Sequence, residues 1–151
     1  MSKEEKYAEL LRELRGWIDG SGESRVSILA NASALVRERM GWFWVGFYMV
    51  EGDALLLGPF QGPVACYRIG YGKGVCGTAW RERRTIAVAD VEQFPGHIAC
   101  SSLSRSEIVV PLFRDGEVIG LLDIDSTETG TFTEADMAGL EEFCAIVSQN
   151  L

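Results

Sequence analysis

The run Trp42-Phe43-Trp44-Val45-Gly46-Phe47-Tyr48-Met49-Val50 limits the fold more than any other stretch of the chain. It is dense in aromatic and β-branched side chains, which fit a pleated, buried strand. Glu51-Gly52-Asp53 then turns the chain into Ala54 to Phe60, so an antiparallel hairpin is predicted. Period two puts Trp42, Trp44, Gly46 and Tyr48 on one face, and Phe43, Val45, Phe47 and Met49 on the other. Only one of these faces can fill the main core, which leaves the Trp44/Tyr48 face to line a pocket.

The flanking segments set the class. Ser2 with Glu5 forms a capping box ahead of Tyr7, Leu10, Leu11, Leu14, Trp17 and Ile18, an amphipathic helix ending near Gly20. Ser24 opens a second helix through about Arg39. Such helices can cover one sheet face or pair with another subunit. After a turn at Gln61-Gly62-Pro63, Val64 to Ile69 reads as a third strand carrying Cys66, and Thr78 to Arg83 as a short helix. Thr85 to Val88 is a short strand. Glu107 to Phe113 and Glu117 to Asp125 form a second hairpin around Asp115-Gly116. Thr133 and Asp136 cap a last helix whose apolar stripe is Leu140, Phe143, Cys144, Val147 and Leu151. This order describes an α+β fold with a mostly antiparallel central sheet.

Composition removes several function classes. The chain of 151 residues suits one domain, without repeats or a linker. A net charge of −8 argues against nucleic acid, whose phosphates need a basic face. No apolar signal region or membrane-length run is present, and four cysteines in such a chain suggest a reducing, cytoplasmic location. Gly72-Lys73-Gly74-Val75-Cys76-Gly77 fits a dinucleotide-binding glycine pattern, but the chain runs on into a hairpin where a parallel-sheet half would need more strands. A close-packed turn that sets Cys76 at a helix N-terminus, where the dipole lowers its pKa, accounts for these glycines better.

Cys144 lies on a helical apolar stripe and reads as core. Cys66, Cys76 and Cys100 come from loop-proximal positions, Cys100 in the segment Pro95-Gly96-His97-Ile98-Ala99-Cys100-Ser101-Ser102. Each is a spare thiol, a metal ligand or a nucleophile. Zinc prefers close ligand pairs, and only His97-x-x-Cys100 resembles one, so no metal is expected. A nucleophile with a resolving partner explains several thiols without one. Asp123-Ile124-Asp125 puts two acids on one strand face, about 7 Å apart. A three-residue loop Arg114-Asp115-Gly116 would place Glu107 opposite Asp123, whereas a two-residue loop would set it opposite Ile124, on the wrong face. Three crowded carboxylates raise at least one pKa. A thiolate, a proton-donating carboxyl and further anions can bind a small cationic substrate and protonate its leaving oxygen, as sulfoxide reduction by thiol requires.

Asn31-Ala32-Ser33-Ala34-Leu35, Trp44-Val45-Gly46-Phe47-Tyr48, Leu57-Gly58-Pro59-Phe60-Gln61-Gly62, Gly74-Val75-Cys76-Gly77-Thr78-Ala79, Gly96-His97-Ile98-Ala99-Cys100 and Leu122-Asp123-Ile124-Asp125-Ser126 together resemble the free methionine-(R)-sulfoxide reductases, which are built on a GAF domain. The resemblance implies a GAF-like, six-stranded antiparallel sheet flanked by helices, with residues 1–151 as a single domain, often in a homodimer. It implies Cys100 as nucleophile, Cys66 as resolving thiol and Cys76 as auxiliary thiol, with Glu107 and Asp125 taking part in catalysis. Trp44, Tyr48, Glu107, Asp123 and Asp125 match substrate-contacting positions, and His97 reads as a loop anchor. The implied partners are free methionine-(R)-sulfoxide and thioredoxin or a similar dithiol, with no organic cofactor or metal. A GAF-type sensor that binds a small molecule or nucleotide without catalysis is the alternative.

Overall fold

The computed structural model describes residues 1–98 and 100–151. Two helices come first, α1 (Lys3–Ile18) and α2 (Arg25–Met40). Ser2 Oγ accepts from the Glu5 amide and Ser24 Oγ from the Ser27 amide, meeting donors that a helix start leaves free. The strands are β1 (Trp44–Glu51), β2 (Ala54–Gln61), β3 (Arg68–Gly70), β4 (Ile86–Val88), β5 (Ser106–Arg114) and β6 (Glu117–Ser126). Helix α3 (Gly74–Glu82) connects β3 to β4, a 3-10 turn spans Val91–Gln93, and α4 (Glu134–Gln149) closes the chain behind a Thr133/Asp136 capping box.

The sheet order is β3-β2-β1-β6-β5-β4, and every neighbouring pair is antiparallel. The α+β, GAF-like architecture expected from the sequence is therefore present. Helices α1, α2 and α4 cover one face, where Val45, Phe47, Ile108, Val110, Leu112, Leu122 and Ile124 join their apolar stripes. The other face carries α3 and the loops, over Trp44, Tyr48, Val109 and Leu121. Cys144 lies in the first of these clusters, as its stripe implied. Among the described residues, no helix is long and apolar enough to cross a membrane.

Three local expectations change. The third strand is only Arg68–Gly70, so Val64 to Cys66 run as a loop along the sheet edge, and α3 starts at Gly74, ahead of Thr78. Trp42 and Phe43 precede β1 and do not keep its alternation: Trp42 packs on the helix-covered core and Phe43 on the opposite cluster. The β5–β6 register also differs. The turn is the two-residue Asp115-Gly116, both at positive φ, which alone would have put Glu107 opposite Ile124. An irregularity follows, since Leu112 pairs with Gly120 and Phe113 with Val118, leaving Ile119 as an extra residue. This bulge restores the parity that a two-residue loop loses. Glu107 therefore faces Asp125, not Asp123, which lies opposite Val109.

Candidate functional site

Strand register assembles the site on the α3 side of the sheet. Trp44 is paired with Asp125 and Gly46 with Asp123, so the aromatic face of β1 adjoins both aspartates of β6, and Glu107 completes the group from β5. All three carboxylates, Trp44 and Tyr48 line one cavity with Cys76, His97, Cys100 and Ser104.

Gly46 makes the aromatic wall possible. A Cβ there would collide with Phe60 and the Trp44 ring, which stack at 5.2 Å between centroids. Trp44 Nε1 donates to the Pro63 carbonyl at 2.9 Å, and the Tyr48 hydroxyl donates to the Cys66 carbonyl at 2.8 Å. The two rings thus hold the loop that carries Cys66, besides lining the cavity. Period two could mark these side chains as pocket-facing, but nothing local in the sequence announces their bonds to residues eighteen or nineteen positions away.

Cys66 and Cys100 are joined in a disulfide with Cα atoms 5.8 Å apart, across a sequence separation of 34 residues. Cys100 is exposed and Cys66 half-buried. Cys76 is a buried free thiol whose Sγ lies 3.9 Å from Glu107 Oε2. The expectation that the α3 dipole lowers its pKa is overturned. Burial, followed by Asp123 and Glu107, pushes the Cys76 thiol well up, because a thiolate there would be desolvated among carboxylates. The glycines around it serve a turn: Gly72 and Gly74 have positive φ, and a Cβ on Gly77 would overlap the Gly70 carbonyl.

Burial, with Asp125 adding to it, raises the Glu107 carboxyl to about 8. Asp123 and Asp125 are also pushed well above the ordinary carboxylate range, first by burial and then by their acidic neighbours. His97 Nε2 stands 3.7 Å from Glu107 Oε1. Burial lowers His97, so near pH 7 this contact joins a neutral imidazole to a protonated acid and is no ion pair. Asp123 Oδ1, Asp125 Oδ1 and Ser104 Oγ are buried with no hydrogen-bond partner among the described residues. Sequence reasoning did not mark Ser104 or Lys73 as lining residues; both sit in loops without a periodic signal. Ala99, in the Cys100 segment, lies outside the described residues.

The arrangement sets the Cys66–Cys100 disulfide beside carboxyls able to carry protons at neutral pH. The fold and this site define a GAF-domain protein with a thiol-based centre, and the GAF domain family model matches residues 23–151. A GAF domain-containing protein A of Dictyostelium discoideum is 53% identical over 89% of this chain and 85% of its own length. The free methionine-R-sulfoxide reductase of Escherichia coli is 49% identical over 96% of this chain and 88% of its own. A crystal structure of free methionine-R-sulfoxide reductase from Neisseria meningitidis, in complex with its substrate, superposes with a TM-score of 0.96 at 49% identity, covering 99% of this chain and 90% of that one. The chain belongs to the free methionine-R-sulfoxide reductase family of GAF-domain proteins.

Proposed function

We propose that the protein reduces free methionine-(R)-sulfoxide to methionine through Cys100, with Cys66 resolving and a thioredoxin-type dithiol restoring both thiols. The observation that carries this reading is the Cys66–Cys100 disulfide, whose Cys100 lines one cavity with Glu107, Asp123 and Asp125. The Cys100 thiolate attacks the sulfoxide sulfur while Glu107, protonated near neutral pH, gives its proton to the departing oxygen. The S–O bond breaks and the oxygen passes to the Cys100 sulfur as hydroxyl, so methionine leaves with its sulfur reduced by two electrons and Cys100 becomes a sulfenic acid. The Cys66 thiol displaces the sulfenic oxygen as water and forms the disulfide. A dithiol then attacks that disulfide, leaving with its own sulfurs bonded and both cysteines reduced.

Trp44 and Tyr48 form the wall for the thioether chain, and Asp123 and Asp125 receive the substrate ammonium, which offsets their crowding. Cys76 is the auxiliary thiol. On the same family resemblance the protein acts in the cytoplasm as a homodimer. Each epimer of methionine sulfoxide, free and peptide-bound, is supplied with a thioredoxin system and consumption of reductant is followed. Free (R)-sulfoxide should support turnover, the S epimer and peptide-bound sulfoxide little. Equal rates with both epimers would overturn the assigned pocket.

A further inference from the structure

We propose that Cys76, Glu107 and Asp123, with His97 behind Glu107, form a binding site for a thiophilic divalent cation, Zn²⁺ or Cd²⁺. One ligand atom from each of Cys76, Glu107 and Asp123 lies within 4.8 Å of the others, and all three side chains are buried. A tetrahedral zinc ion, with sulfur at about 2.3 Å and oxygen at about 2.1 Å, spaces its ligands roughly 3.6 Å apart. Cys76 Sγ to Glu107 Oε2 is 3.9 Å, close to that spacing, while His97 Nε2 lies 3.7 Å from the other carboxyl oxygen, Glu107 Oε1, as an outer partner of that ligand. The three inner ligands stand on α3, β5 and β6, three separate rigid elements, and His97 reaches in from the loop.

A second observation points to a ligand. Asp123 is 6% exposed, and its Oδ1, in a side chain that lines the cavity, has no hydrogen-bond partner among the described residues. A buried carboxylate oxygen left in this way is costly, and a cation satisfies it. The free space is about 40 Å³, room for an ion with a water, which needs roughly 10–15 Å³ of such space. A thiolate among the donors selects zinc or cadmium over magnesium or calcium, which take oxygen ligands. Such an ion occupies the place of the substrate ammonium and caps Cys76, so it acts as an inhibitor. That consequence rests on the function proposed above, whereas the binding itself does not.

The test therefore reads binding to the disulfide form, in which Cys76 and Cys144 are the free thiols among the described residues. Titrating it with Cd²⁺ should raise an ultraviolet thiolate-to-metal charge-transfer band that saturates at one ion per chain, with calorimetry giving the same stoichiometry for Zn²⁺. Cys76→Ser should abolish the band and Cys144→Ser should keep it. Glu107→Gln should keep the band but weaken affinity by more than tenfold, since even an outer supporting partner is worth about 10–100-fold. No band on the oxidised wild-type chain, a band lost with Cys144 instead, or unweakened affinity in Glu107→Gln would each overturn the site. The Glu107→Gln and Cys144→Ser results decide the matter if Cys76→Ser fails to fold.

Discussion

Glu107 concentrates the electrostatics of the site in one side chain. Its carboxyl moves from an ordinary 4.5 to about 8, chiefly through burial and then through Asp125. An acid raised in this way binds its proton more tightly in the folded state than in the unfolded chain. Its contribution to stability is therefore whole below about pH 4.5 and is lost as pH rises towards about 8. Asp123 and Asp125 act in the same direction. The unfolding temperature should fall between these pH values, and Glu107→Gln should flatten the fall; thermal melts at fixed ionic strength measure it. In turnover, kcat should decline as pH passes about 8, and Glu107→Gln should have a low kcat throughout with a smaller change in KM. The thiols separate as sharply. Cys100→Ser should release no methionine even in a single turnover, because no sulfenic acid forms. Cys66→Ser should release about one equivalent and stall, since chemistry precedes resolution. Cys144→Ser, a change in the core, should still turn over once folded. Exchange of the first two results would exchange the two roles.

At the scale of elements, the β5–β6 hairpin decides whether the acids meet at all. Its tip is the two-residue Asp115-Gly116, and Ile119 is the extra residue that returns Glu107 to the face of Asp123 and Asp125. Deleting Ile119 should remove the bulge without moving the pairs beyond it, since Phe113 stays opposite Val118, Leu112 opposite Gly120 and Glu107 opposite Asp125. The deletion should therefore keep single-turnover methionine release. Loss of that release in a folded deletion variant would mean the bulge does more than set register. This hairpin also marks how far the sequence is legible. That Glu107, Asp123 and Asp125 share a face follows from alternation and the need for an apolar opposite face. That Glu107 faces Asp125 does not, since a bulge between Leu112 and Phe113 has no compositional mark. Alternation places Trp42 and Phe43 on the wrong faces because it holds only from the start of β1 at Trp44. Sequence shows Cys76 only as a thiol near a helix end, whereas burial, which is tertiary, determines its proton affinity. The pairing of Cys66 with Cys100 follows from the family resemblance alone, as spacing leaves the thiols interchangeable.

For the whole molecule, the open question is where the folding unit begins. The family model starts at residue 23, which leaves α1 outside it. Yet Tyr7, Leu10, Leu14 and Ile18 are buried in the same core as the strands, and Gly139 of α4 leaves room for the Tyr7 ring. The Tyr7 hydroxyl donates to Asp136 Oδ1 at 2.7 Å, and Lys3 Nζ is 2.5 Å from Asp136 Oδ2. Burial alone would raise Asp136, but bonds from Lys3, the Thr133 backbone and Tyr7 outweigh it and hold the carboxyl below its ordinary range. We infer that residues 1–151 fold as one domain, with α1 clasped to the α4 capping box. Four such apolar side chains at about 1.5–3 kcal/mol each amount to roughly 6–12 kcal/mol. That is comparable with the whole stability of an ordinary domain, about 5–15 kcal/mol. The full chain should thus melt in one transition, coincident by far-ultraviolet dichroism and by indole fluorescence. Removing residues 1–22 should leave no cooperative transition, although every side chain of the proposed site remains. A truncated chain that melts like the full one would show that α1 is an accessory and that the domain begins at α2.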